Sequence, residues 1–219
     1  MSIIPGTSAS VKSGALKLEA LLHLPDGTPP FPGVVICHPH PQYGGDMYNG
    51  VVGAIVQASL EAGVAALRFN FRGVGGSEGE HEGGKGEIED VGAAVAHLKS
   101  LPEIDSSRVA LAGYSFGAMM ALRFADTHPD VAAVIAVSQP TMAGPRVKIH
   151  INPPVLIVAG DRDEYCDTNL LQQHRPQLGE DVELEIVPGV DHFWWGSFDR
   201  LQGIVSGFLS RRLLVAGVE

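Results

Sequence analysis

The stretch "ALAGYSFGAMMAL" (110–122) sets one serine, Ser115, between Gly113 and Gly117, with apolar residues on both sides. The residues before it, "RVALAGY" (108–114), read as a buried strand, and those after it, "FGAMMALRFA" (116–125), as a helix. A G-x-S-x-G pattern at a strand-to-helix junction is a nucleophile elbow. The chain turns so sharply there that side chains two places either side of the serine would collide, which glycine avoids. The turn lifts the hydroxyl to a helix N-terminus, where free backbone N–H groups favour developing negative charge.

A second match tests the pattern. "GGSEG" (75–79) also fits, centred on Ser77. Its strand ends several residues earlier, and "EHEGGKG" after it cannot start a buried helix. Ser77 therefore lacks the context that Ser115 has.

Working outward, strand-like and helix-like segments alternate. Short β-rich apolar runs occur at 16–24, 33–38, 65–71, 108–114, 132–138, 154–160 and 183–189. Several are apolar without interruption, as expected of parallel strands covered on both faces. Between them, 49–62 places Val51, Ile55 and Val56 on one face and stops at Gly63. Ile88, Val91, Val95 and Leu98 share a helical face, as do Leu201, Ile204, Val205, Phe208 and Leu209. Strand and helix in alternation imply an α/β domain with a mainly parallel sheet, and no repeat or linker divides 1–219. The glycine-rich stretch 72–87 reads as a flexible loop.

Composition narrows the function classes. The chain has 219 residues, 45% hydrophobic and 18% charged, which suits one globular core. The net charge is -10 and the 15 Lys and Arg are scattered, so nucleic acid is not an expected partner. No apolar stretch approaches the length of a membrane span, and the N-terminus lacks the pattern of a secretory leader. Two cysteines, Cys37 and Cys166, make neither a disulfide framework nor a zinc site. The expectation is a soluble, cytoplasmic protein acting on a small molecule, with no cofactor or metal. Oligomeric state is not legible.

A nucleophilic serine needs a base and the base needs an orienting acid, in the chain order Ser, Asp or Glu, His. Of the histidines after Ser115, His128 lies beyond a helix, His150 in a loop and His174 in a polar helical stretch. His192, in "PGVDHFWWG", directly follows the last strand, where a loop can bring the imidazole over the serine. The acid is expected after "PVLIVAG", and "DRDEYCD" offers Asp161, Asp163, Glu164 and Asp167. Spacing alone does not separate Asp161 from Asp163.

"HPHPQYGGDM" (38–47), "NFRGVGGSEG" (70–79), "GYSFG" (113–117), "GDRDEYC" (160–166) and "DHFW" (191–194) follow one another as in α/β hydrolases. From about residue 16 to 210 the chain resembles the small, lidless bacterial branch related to dienelactone hydrolases and simple carboxylesterases. The resemblance implies an α/β-hydrolase fold, with a twisted, mainly parallel sheet of about seven to eight strands, helices on both faces and no cap domain. Its G-x-x-D pattern implies Asp163 as the acid. Phe116, next after the nucleophile, supplies one oxyanion-hole N–H by the logic of the elbow. The family's His-Gly-x stretch implies His40 for the other, although Pro39 replaces the glycine; Gln42 and Gly44 are the alternatives. True dienelactone hydrolases use a cysteine where this chain has Ser115, which favours a serine esterase over a lactonase.

His38 and His40, two apart without a third ligand, make a poor zinc site and are expected to shape their loop. The connection 139–153 is too short for a lid domain. An open, shallow cleft is therefore expected, walled by Tyr43, Met47, Met119, Phe193 and Trp194, any of which could instead be core. The expected function is hydrolysis of short-chain carboxylic esters by Ser115, His192 and Asp163 through an acyl-enzyme. Thioester, lactone and peptide hydrolysis are the rivals within enzymes. A non-catalytic small-molecule receptor is the rival from another class.

Overall fold

The computed structural model describes residues 4, 6–141 and 150–214. Eight strands form one sheet: β1 (Thr7–Ser13), β2 (Leu16–His23), β3 (Phe31–Cys37), β4 (Ala65–Phe69), β5 (Ile104–Tyr114), β6 (Val134–Val137), β7 (Val155–Gly160) and β8 (Val182–Val187). Their order across the sheet is β1-β2-β4-β3-β5-β6-β7-β8. β1 and β2 pair antiparallel, β2 joins β4 antiparallel, and every further pairing is parallel.

The uninterrupted apolar runs explain the parallel part. All seven residues of β3 and all six of β7 are buried. Helices cover both faces: α1 (Gly50–Glu61) and α5 (Phe198–Leu209) on one, α2 (Lys85–Lys99) and α3 (Phe116–Thr127) on the other. A fifth helix, α4 (Thr168–Leu178), precedes β8, and Asp167 caps it by accepting the Asn169 and Leu170 N–H groups. This is the α/β-hydrolase architecture expected from the sequence.

Two segments differ from expectation. β1 was not foreseen, because "TSASVKS" is polar and only Val11 and Ser13 are buried. As an edge strand it needs one apolar side chain on the core and takes its order from pairing with β2. The loop 72–87 is tied down rather than loose. Buried Arg72 donates to both carboxylate oxygens of buried Asp90, and Ser13 donates to the same carboxylate at 2.7 Å. The chain from β6 to β7 includes 142–149, which lie outside the described residues, as does most of the 139–153 connection.

Candidate active site

The site lies at the C-terminal ends of the parallel strands, where open α/β sheets hold their ligands. Ser115 is the single residue between β5 and α3. Its N–H continues the strand pairing by donating to the Val137 carbonyl at 2.9 Å, while its own carbonyl accepts the Ala118 and Met119 N–H groups and opens the helix. Serving both elements forces φ 55, ψ −117, a conformation that costs a non-glycine residue about 1–3 kcal/mol. The flanking glycines are required by close approach. A Cβ on Gly113 would stand 2.2 Å from the Gly117 carbonyl oxygen, and one on Gly117 would stand 2.3 Å from the Cys37 carbonyl oxygen.

His192 lies in the loop after β8. Its Nε2 is 3.1 Å from Ser115 Oγ, and its Nδ1 is 2.8 and 2.9 Å from the two oxygens of Asp163. A carboxylate only accepts, so Nδ1 carries the proton and Nε2 is left to accept from the serine hydroxyl. Asp163, in the loop after β7, is oriented by the N–H groups of Tyr165 and Cys166, which donate to its Oδ1 at 3.0 and 3.1 Å. All three side chains are at least nine-tenths buried. Asp161, the other aspartate the spacing allowed, points elsewhere: its Oδ1 accepts the Gly189 N–H at 2.6 Å and shapes the turn beyond β8.

Ser77 has a different task. Its hydroxyl donates to the Asn70 carbonyl at 2.7 Å and accepts the Glu19 N–H at 2.9 Å, pinning the glycine-rich loop to β2. The nearby thiol is no competing nucleophile, since burial, with the Asp163 charge adding, pushes Cys166 up to about 12.

At the start of α3 no side chain caps the helix, and the Phe116 N–H has no acceptor among the described residues. Facing it is the loop after β3. There the Gln42 N–H donates to His40 Nδ1 and the Gly44 N–H to the Pro41 carbonyl, so both alternative oxyanion donors are engaged. The His40 N–H has no acceptor among the described residues, and the His40 ring lies 4.9 Å from that of Phe116. His38 holds this loop in place. Its Nδ1–H donates to the Pro39 carbonyl at 2.6 Å and its Nε2 accepts the Phe71 N–H at 3.0 Å. Burial pulls its pKa down to about 4, which keeps the ring neutral.

The expected pocket residues divide. Tyr43 is 86% exposed, its ring 4.8 Å from that of His40 and tilted by 56°. Phe193 is 52% exposed, its ring 5.6 Å from that of His192. Met119 is half-buried and packs on the core. Met47 and Trp194 are corrections: both are fully buried and belong to the interior, not to a cleft wall. Met47 sits under the 38–47 loop, its N–H donating to Asn70 Oδ1 and its carbonyl accepting from Arg68. The Trp194 indole N–H donates to Ser138 Oγ at 3.0 Å, which turns the ring inward beneath the histidine loop.

Sequence reasoning missed two supports of the His192 loop. The Tyr114 hydroxyl donates to the His192 carbonyl at 2.9 Å, and burial raises its pKa so that it stays a donor. Trp194 and Ser138 both take positive φ, 61 and 47, so this anchor beneath His192 joins two left-handed turns. Residue type alone signals neither, although Tyr114 does occupy a variable position of the elbow motif.

Comparison with known proteins identifies the family and the fold. The dienelactone hydrolase family profile matches residues 77–199. An α/β serine hydrolase homologue from Coxiella burnetii superposes with TM-score 0.85 at 31% identity, covering 95% of this chain and 100% of that one. An α/β serine hydrolase without a lid from Xanthomonas campestris superposes with TM-score 0.86 at 27% identity, covering 99% of each. The esterase FrsA of Klebsiella pneumoniae is 29% identical over 136 residues, 60% of this chain but only 30% of that longer protein.

Proposed function

The chain belongs to the dienelactone hydrolase family, and from that premise we propose that it hydrolyses carboxylic esters with short acyl chains through a covalent acyl-enzyme. The observation that carries this reading is the unbroken hydrogen-bonded line from Ser115 Oγ through His192 to Asp163.

In the proposed cycle Ser115 Oγ attacks the ester carbonyl as His192 Nε2 takes its proton. Asp163 holds the imidazole in the tautomer that can accept and stabilises the imidazolium that forms. The backbone N–H groups of Phe116 and His40 bind the oxyanion, whose charge develops at the positive end of α3. Collapse breaks the bond to the alcohol oxygen, which leaves with the Nε2 proton. Water then repeats the sequence on the acyl-enzyme and frees the acid. An oxygen nucleophile in a family named for lactone hydrolysis supports simple esters as the substrate class. The two free, buried cysteines suit a reducing compartment such as the cytoplasm.

A fluorophosphonate probe tests the reading. The protein should label rapidly at Ser115 and hydrolyse nitrophenyl acetate, and Ser115→Ala should do neither. Slow labelling equal to that of a surface serine, with no ester turnover, would favour the receptor reading instead.

A further inference from the structure

Three aromatic rings surround the His192 imidazole. Tyr114 lies buried against it, ring centroids 5.3 Å apart. Tyr165 stands at 4.7 Å with the planes tilted by 54°, and Phe193 meets it edge-on at 5.6 Å and 88°. Tyr165 and Phe193 are each 52% exposed, so each ring has one part on the imidazole and another free.

Their place in the reaction follows from proton transfer. The leaving oxygen must come within hydrogen-bond reach of His192 Nε2 to take its proton. The oxyanion donors at Phe116 and His40 hold the carbonyl oxygen instead. The alcohol half of the ester therefore lies on the histidine side, beside Tyr165 and Phe193. We propose that these two rings form the binding wall for the alcohol, and that the alcohol they fit carries an aromatic ring. The inference rests on the esterase reading above.

The wall is preorganised. The Tyr165 N–H donates to Asp163 Oδ1, and its carbonyl accepts the Thr141 N–H. The Phe193 N–H donates to Asp191 Oδ1 at 3.0 Å. Neither backbone has to be ordered when substrate binds, so contact with the rings is not offset by that cost. Each ring stands at an angle to the imidazole and keeps an exposed part, which can receive a further ring edge-on or offset, the arrangements aromatic groups prefer. Charge points the same way. Asp161, Glu164, Asp167 and Asp191 share these loops, and the protein carries a net charge of -10, which disfavours an anionic alcohol.

Benzyl acetate and ethyl acetate share an acyl group and have alcohols of similar acidity, so their ratio of kcat/KM reports alcohol recognition. Tyr165→Ala and Phe193→Ala should each lower the benzyl-to-ethyl ratio by about threefold to tenfold, the range of one aromatic contact. Tyr165→Phe should keep it. A ratio that stays within about twofold in both alanine variants, both esters falling together, would overturn the proposal and reduce the rings to props of the imidazole. Loss in Tyr165→Phe equal to that in Tyr165→Ala would also overturn it, since the ring would not be the contact. Binding of benzyl alcohol to Ser115→Ala, followed by NMR, separates the two readings. Binding that disappears when Tyr165→Ala is added, while the wild type turns over no ester, would remove the esterase reading and leave the aromatic wall standing. Ester turnover with no benzyl alcohol binding would do the reverse.

Discussion

The Tyr114 hydroxyl donates to the backbone carbonyl of His192 across 78 positions of chain, so the residue just before Ser115 holds the loop that carries His192. Both ends of the Ser115–His192 hydrogen bond are thereby referred to the same strand end. Tyr114→Phe keeps the ring and loses only this bond. We expect kcat to fall by about threefold to thirtyfold with KM nearly unchanged, and stability to fall by about 1 kcal/mol. Steady-state kinetics beside a urea titration checks both. A change in KM alone would mean that the hydroxyl serves substrate binding.

The two G-x-S-x-G serines should separate by phenotype. Ser115→Ala should lower kcat on the order of a million-fold with an unchanged melting temperature, as loss of a triad nucleophile does. Ser77→Ala should leave the folded enzyme active. It strands the Glu19 N–H and the Asn70 carbonyl, which is expected to lower stability by roughly 1–3 kcal/mol. Activity per folded molecule, with thermal denaturation of both variants, decides the matter; inactivity of folded Ser77→Ala would reverse the assignment.

Asp163→Asn should cut kcat by about 10³ to 10⁴, because an amide N–H facing Nδ1 stabilises the wrong tautomer. Asp161→Asn removes a charge from an exposed turn but keeps an Oδ1 that can accept the Gly189 N–H, and should cost less than about threefold in rate. A larger loss at Asp161 than at Asp163 would contradict the geometry.

How far these residues were legible in the sequence depends on what places each one. Ser115 was legible because its local context, buried strand, two glycines and buried helix, is also what forms the elbow. His192 followed from chain order. Asp163 and Asp161 were not separable by spacing, because the direction each takes depends on which N–H groups meet it. In the fold those donors are Tyr165 and Cys166 for one and Gly189 for the other. Met47 and Trp194 looked like cleft walls because apolar residues near a catalytic motif suit either a pocket or a core. Long-range bonds to Asn70, Arg68 and Ser138 drew both inward. β1 was invisible for the opposite reason: its order comes from a partner strand, not from its own apolar pattern.

His38 should make stability depend on pH. Its folded pKa, near 4, lies below its ordinary value of 6.5, so the unfolded chain binds more protons between those values. The contribution is fully present above about pH 6.5 and is lost as pH falls towards 4, amounting to about 3 kcal/mol. Unfolding free energy should therefore rise from pH 4.5 to 6.5 more steeply in the wild type than in His38→Gln, by up to one proton in slope. Parallel slopes in urea titrations across that range would show that His38 does not carry the effect.

The last prediction concerns the acyl group. Of the residues expected to wall a cleft at Ser115, Met47 and Trp194 are withdrawn into the interior, while Tyr43 and Phe193 stand largely or half in solvent. Among these residues, an acyl chain extending from Ser115 thus meets few enclosing walls. Each CH₂ that becomes buried contributes roughly 0.8 kcal/mol, and one that stays in water contributes almost nothing. With a fixed nitrophenyl leaving group, kcat/KM should climb over the first carbons, peak between about two and six, and then level or fall. Interfacial activation should be absent, since 99% of this chain superposes on an α/β serine hydrolase without a lid from Xanthomonas campestris. Rates measured from acetate to laurate, below and above the solubility limit of each ester, test both points. A preference for ten or more carbons, or a jump in rate above the solubility limit, would require an element that closes over Ser115, and the loop 72–87, tied down by Arg72 and Asp90, would then have to move.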